Sequence, residues 1–398
     1  MHAHARARAA LLGGLLALAA VATPARAALT PERAPNFILI RDDGTVAGTR
    51  WNDSASVDAT VRKLASAYLS FAPDDAELLV FFTTFDADDS WWLLAMENHL
   101  EGLGWKNEPE GQDFDFMPLS KLEGVVNLGD LAYWGSVPEQ EFTLTALQEI
   151  GHRWCCYLRF DAGTGTRADL LGRAQNHWSY FLDSGGSPME GNSWRDNGDG
   201  SFTTTTDAAG TGYDDLALYT MGLLPPGEVP PLRLLEGPQV AGLRDLDGLP
   251  LSASSPPQRG TPLTVRATPR MVNLADVVRA EGERRPAFPT RNIFRMGVIV
   301  IARPGDDLAT FGPVAEQLVD RIPAAFRAAT RQKGTLLNIT DSRVVDGGMA
   351  DGGGEGGGGE DCGCQTGRRQ SPFTAAALLG IATLTALLAI RSRRPLRR

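Results

Sequence analysis

Cysteine and histidine are scarce in this chain. Its 398 residues include four Cys and five His. His2 and His4 lie at the N-terminal end, and Cys362 and Cys364 near the C-terminal end. The stretch between keeps only Cys155 and Cys156, and only His99, His152 and His177. A three-histidine metal site is therefore open only if all three meet. Neighbouring cysteines cannot face each other on a helix, so no bridge between Cys155 and Cys156 is expected. The plain reading makes them small core residues; the sharper one adds a thiol, one turn beyond His152, to a metal site. Repeats of 20 to 50 residues are absent, which excludes a solenoid.

Positive charge is also scarce where it matters. Three of the 38 basic residues fall in the first 27 positions and seven after Cys364, where there are no acids. The middle thus carries 28 bases against 48 acids, a net charge of −20. Such a surface does not attract nucleic acid or anionic lipid.

Long apolar runs stand out at the two ends. At the first, Arg6 and Arg8 precede an apolar stretch from Ala9 to Ala22, and Ala25-Arg26-Ala27 fits an A-x-A cleavage site. Residues 1–27 read as a secretory signal peptide. At the other end, residues 346–364 form a Gly-rich spacer closing on Cys362-Gly363-Cys364. Phe373 to Ile390 is apolar and uncharged, long enough to cross a bilayer, and an arginine cluster follows it. This order resembles the MYXO-CTERM sorting tail of myxobacterial surface proteins. The resemblance implies export, attachment to the membrane through the tail, processing by a dedicated protease near Cys362 or Cys364, and display at the cell surface or release.

Between the ends, residues 28–345 alternate strand and helix signals, with a Pro-, Gly- and Ser-rich crossing at 224–262 where the domain would subdivide. Strands are expected at 36–41, 78–85, 122–128, 177–183, 293–302 and 336–340. A hairpin is expected over 194–206 around Asp196-Asn197-Gly198-Asp199-Gly200. Helices are expected at 56–70, 91–102, 143–159, 213–223, 274–281 and 310–331. His99 then falls on an apolar helix and reads as structural.

The helix at 143–159 carries the chemistry. Gln148-Glu149-Ile150-Gly151-His152 is one residue short of His-Glu-x-x-His. That pattern sets two imidazoles one turn apart to grip Zn²⁺, with the Glu as general base on metal-bound water. Here Gln148 stands in place of the first His. An amide oxygen is a poorer zinc donor than an imidazole nitrogen. His152 would remain a ligand, with His177 and the Asp214/Asp215 pair, Asp215 foremost, as the other candidates.

The segments G-V-V-N-L-G-D-L at 124–131, Q-E-I-G-H-R-W at 148–154, H-W-S-Y-F-L-D at 177–183, G-N-S-W-R-D-N-G-D-G-S-F at 191–202 and L-Y-T-M-G-L at 218–223 resemble a group of secreted bacterial zincin-like proteins, many of which carry H-E-x-G-H-R-W. The resemblance covers roughly residues 78–340. It implies an α+β fold of the zincin metallopeptidase type, with a mixed sheet and a central motif helix, and a zinc-peptidase ancestry. It also implies an acidic residue before L-Y-x-M-G, where this chain has Ala217. Two function classes follow. One is an exported zinc peptidase with an altered ligand set, Glu149 as its base and a peptide or protein as substrate. The other is a non-catalytic surface protein that binds a peptide or other ligand in the former cleft.

Overall fold

The structure, a computed structural model, describes residues 29–87, 91–96, 98–105, 121–205 and 212–345. The leader, the Gly-rich spacer, Cys362, Cys364 and the apolar tail lie outside the described residues, as do Asp88, Asp89 and Ser90.

Strands form where the β-branched and aromatic apolar runs fall. In chain order the first elements are β1 (Thr30–Arg33), β2 (Ile38–Arg41), α1 (Ser54–Leu69), β3 (Leu78–Thr83), β4 (Trp92–Ala95) and β5 (Gly124–Asp130). Then come α2 (Leu131–Trp134), α3 (Glu139–Gly151), β6 (Phe160–Asp161), β7 (Thr166–Arg167), β8 (Trp178–Asp183) and β9 (Glu190–Asn192). The hairpin strands β10 (Trp194–Asp196) and β11 (Ser201–Thr204) follow, then α4 (Asp215–Met221), β12 (Leu232–Glu236), β13 (Thr264–Arg266) and β14 (Thr268–Val272). The chain continues with α5 (Leu274–Glu281), β15 (Ile293–Ala302), α6 (Leu308–Ala329), β16 (Thr335–Asn338) and α7 (Ser342–Val345). The molecule is mixed α+β.

The largest sheet runs β1-β2-β15-β3-β5-β4, with β16 also on β15. Its centre is parallel: β2, β3 and β16 all run with β15, and β5 runs with β3. Parallel strands are covered on both faces and so read as continuous apolar runs. Every residue of β3 is buried. Alternate side chains go to opposite faces. Leu79 and Phe81 of β3 join Val61, Leu64 and Tyr68 of α1. Leu78, Val80 and Phe82 join Leu147 and Ile150 of α3 and Leu318 and Phe326 of α6. β15, from the far side of the proline-rich crossing, lies between β2 and β3, so strands from both sides of the crossing build one sheet. Within that crossing β12 pairs with β14 and β8 in a second sheet, ordered β14-β12-β8-β9.

Three expectations are corrected. The helix foreseen at 91–102 is a strand, β4, paired antiparallel with β5 through Trp92–Ala95. A tryptophan-led apolar run satisfies the edge of a sheet as readily as a helix face, and the sheet had an edge to fill. The central helix ends at Gly151, with His152 as its C-cap, rather than running to Arg159. Cys155 and Cys156 therefore lie beyond the helix, and they form a disulfide with each other. Neighbouring cysteines cannot face each other on a helix, but these two lie off it.

Gly297 of β15 marks how closely α1 is packed. A Cβ there would lie 2.6 Å from the buried Tyr68 ring. Gly297→Ala should destabilise the protein by about 1–3 kcal/mol through overpacking. Gly227→Ala, which meets open space, should change stability by less than about 0.5 kcal/mol. Urea unfolding of the two variants checks this, and equal midpoints would refute it.

Candidate functional site

The end of α3 builds the site. Its first turn carries Glu139 and Glu141, which suit the positive end of a helix. Its last turn carries Gln148 and Glu149, and His152 follows as cap. Gly151 allows a second segment to approach: a Cβ there would sit 2.3 Å from Met189 Sδ and 3.0 Å from the Tyr213 ring. Tyr213 fixes the same turn by donating its hydroxyl to the Leu147 carbonyl at 2.6 Å. With Met189 seated on Gly151, the next residue, Glu190, reaches Gln148, whose amide donates to Glu190 Oε1 at 3.3 Å.

A short turn at Arg173–Gln175 closes the other side. Its backbone is unusual. Ala174 (φ 51°), Gln175 (φ 58°) and, across the site, Glu190 (φ 72°) are left-handed without being glycine. Such residues cost of order 1–3 kcal/mol each and cluster where geometry serves a site. Gly172 opens the turn, and a Cβ on it would meet the Ala253 and Trp178 carbonyls at 2.6 and 2.7 Å.

These elements bring His152 and His177 edge to face, with ring centroids 4.6 Å apart. Both rings are buried. His152 Nδ1 lies 3.2 Å from the Cys155 carbonyl. A carbonyl only accepts, so Nδ1 carries the proton and Nε2 the lone pair. His177 is arranged likewise, with Nδ1 donating to the Arg173 carbonyl at 3.0 Å. Its Nε2 accepts from Arg173 Nη2 at 3.0 Å. The same guanidinium donates from Nε and Nη2 to Glu190 Oε1. Glu190 Oε2 is buried and has no hydrogen-bond partner among the described residues.

Burial sets the protonation states. It pushes the Glu149 carboxyl up to about 7, with Arg173 pulling it down and Glu190 adding to the rise. Glu190 is raised chiefly by burial, against Arg173. His152 is pushed down to about 3 by burial and then by His177. His177 is pushed down to about 4 by burial and then by Arg173. Both imidazoles are neutral at neutral pH.

The other candidates do not join them. Asp215 pairs with Arg331 at 2.6 Å. Asp214 caps α4, accepting from the Ala217 amide at 2.9 Å and from Trp178 Nε1 at 2.7 Å. Ala217 is buried within α4. His99 is exposed and lies beyond β4 rather than on a helix. Cys155 and Cys156, joined to each other, have no thiolate to offer. Among the described residues no three His, Cys, Asp or Glu are grouped to share a metal ion.

The zinc that the sequence pattern implies therefore does not fit these side chains. The His177 lone pair is taken by a guanidinium. Glu190 Oε1 is shared by Arg173 and Gln148. Gln148 presents its amide N–H to Glu190 as donor. Arg173 and Glu190 were absent from the sequence-based candidates. Glu190 had a signal, because it directly precedes the G-N-S-W segment; Arg173, an isolated arginine in a loop, had none.

A cleft of about 490 Å³ opens beside the cluster. Leu144, Thr145 and Gln148 of α3 form one wall, and Pro188, Glu190 and Arg259 contribute to the rest.

No family model, no curated protein and no solved structure matches this chain.

Glu149 gives the site a pH signature. Its folded value of about 7 lies above the ordinary 4.5, so the folded state holds a proton that the unfolded chain releases. The stability this contributes is complete below about pH 4.5 and is lost as pH rises through about 7. His152 and His177 act oppositely: their depressed values make stability rise with pH from about 3 for His152 and about 4 for His177 up to about 6.5. Glu149→Gln removes only the first effect. Its stability relative to wild type should rise by about 3 kcal/mol between about pH 4.5 and about pH 8. Urea titrations at both ends of that range measure it. A difference that stays constant would show that Glu149 titrates normally.

Proposed function

We propose that this chain is an exported, zincin-like protein whose former active-site cleft binds a peptide or another ligand without metal-dependent catalysis. The leader-like N-terminal stretch and the sorting-type tail support export. The order of strand, motif helix and downstream histidine supports the zincin relationship. One observation carries the rest: the Arg173 guanidinium donates to His177 Nε2 at 3.0 Å and to Glu190. It engages the Nε2 of His177, a candidate ligand, and a neighbouring carboxylate oxygen, both donor types that zinc favours.

A zinc peptidase with an altered ligand set is the weaker reading. It needs Arg173 to leave His177 and Glu190, and Gln148 to turn its carbonyl oxygen inward. The ligand-binding reading needs no rearrangement, because the cleft already lies against α3 beside Gln148 and Glu190.

The purified protein should contain no zinc above background, and its unfolding should be unchanged by chelator. It should not hydrolyse an unfolded protein substrate, and Glu149→Gln should leave that result unchanged. Equimolar zinc that is lost on His152→Ala would overturn the reading. An unfolded polypeptide held by the cleft should bind at least about tenfold more weakly to Thr145→Trp, which fills one wall, a loss of about 1.4 kcal/mol. Binding indifferent to Thr145→Trp would remove the cleft from the proposal.

A further inference from the structure

We infer that Arg173 is the resident cation of this site, a charged side chain that balances the buried histidine and carboxylate cluster in place of a metal ion, and that Gln148 is its matched partner. The inference rests on the reading that the wild-type cluster holds no metal, and it adds how the cluster is held together without one.

Four features of the structure lead to it. The guanidinium touches both kinds of donor that zinc favours, an imidazole nitrogen at 3.0 Å and a carboxylate oxygen. The turn bearing Arg173 has two successive left-handed non-glycine residues, and Glu190, which receives the guanidinium, is a third. The local backbone is thus committed to this contact from both sides. Gln148 donates to the same Glu190 oxygen, Oε1, at 3.3 Å. An unprotonated imidazole nitrogen at that place would be an acceptor facing an acceptor, so the amide suits a site whose cation lies elsewhere. Finally, Glu190 Oε2 is buried without a hydrogen-bond partner among the described residues. Arg173 and Gln148 thus both serve Oε1, and Oε2 stays uncommitted.

Arg173 and Gln148 are then two halves of one exchange. Removing the guanidinium frees the lone pair of His177 Nε2, and Glu190 Oε1 is freed only when Gln148 is replaced as well. His152 already directs its proton to the Cys155 carbonyl, which leaves Nε2 as its lone-pair nitrogen. Replacing Gln148 with histidine adds a third imidazole next to Glu190. As the side chains stand, no three His, Cys, Asp or Glu among the described residues are arranged to share a metal ion; only the two changes together supply three imidazoles and an unshared carboxylate oxygen, the donor types Zn²⁺ favours.

The test uses the full chain, with zinc chloride as the probe and thermal unfolding and bound zinc per chain as readouts. Wild type and Arg173→Lys should show no zinc-dependent shift in Tm. Arg173→Ala should melt several degrees lower than both, because Glu190 loses its countercharge. Gln148→His/Arg173→Ala should bind one zinc per chain, at least about tenfold more tightly than either single variant, and zinc should restore most of the lost Tm. The inference is overturned if Arg173→Ala melts with the wild type, or if the folded double variant takes up no more zinc than the wild type. A double variant that fails to fold in zinc as well as in chelator also counts against it, since the metal should replace the missing charge. Zinc bound stoichiometrically by the wild type is the separate outcome that sinks the ligand-binding reading itself. A zinc-free wild type with an unresponsive double variant sinks this inference alone.

Discussion

The site depends on one shared cation. A single guanidinium, half exposed, lies against two nearly buried groups, His177 and Glu190. Without it the cluster would hold two carboxyls raised by burial and two neutral imidazoles, with Glu190 left to the weaker, unpaired influence of Arg259. Removing one partner of a buried charge costs more than the pair itself contributes, because the remaining group stays desolvated. The protonation states follow from the same contact. Arg173 holds the Glu190 and Glu149 carboxyls below what burial alone would set, and it adds to the depression of His177.

The fold delivers that contact through close backbone approaches. The parallel sheet buries the inner face of α3 against Val80 and Phe82 and so fixes where its last turn lies. Gly151 lets Met189 sit against that turn, which places Glu190. Gly172, packed between two carbonyls, lets the Arg173 turn descend from the opposite side. The α3 helix then stops at His152, and the chain beyond it supplies the Cys155 carbonyl that orients the His152 ring. A helix continued to Arg159 would have turned that carbonyl along its own axis. The early stop is therefore part of the site, and the joined Cys155 and Cys156 lie in the segment that produces it.

Much of this order could be read from the sequence, for physical reasons. The apolar runs at 78–85 and 293–302, rich in β-branched and aromatic residues, read as strands, and β3 and β15 lie side by side at the sheet centre. The hairpin at 194–204 was marked by its Asp-Asn-Gly-Asp-Gly turn. Gln148, Glu149, His152 and His177 do converge. Three features escaped. The strand Trp92–Ala95 looks helical because a short apolar run has no decisive period. The stop at Gly151 carries no signal, since the residues after it keep helical spacing. Leu147, Ile150, Trp154 and Leu158 are all buried, although only the first two lie on the helix. Arg173 was invisible because its importance lies in what it touches, and a turn sequence does not specify a long-range partner.

On the reading proposed above, Arg173 and Gln148 meet the needs of a site that holds no metal. Such a site still buries the Glu190 carboxylate, which calls for a positive charge beside it. A chain with an acidic middle of net charge −20 has little general field to supply it. A tethered cation solves the problem locally. A guanidinium is always charged, and its planar fork can donate to a carboxylate and an imidazole together, which a lysine ammonium does with less geometric definition. It also cannot polarise water or a carbonyl as zinc does, so a site held by Arg173 would have no Lewis acid. Glu149 would then be a buried carboxyl without a metal-bound water to act on. Its raised proton affinity comes from burial, and by itself it is no evidence of catalysis.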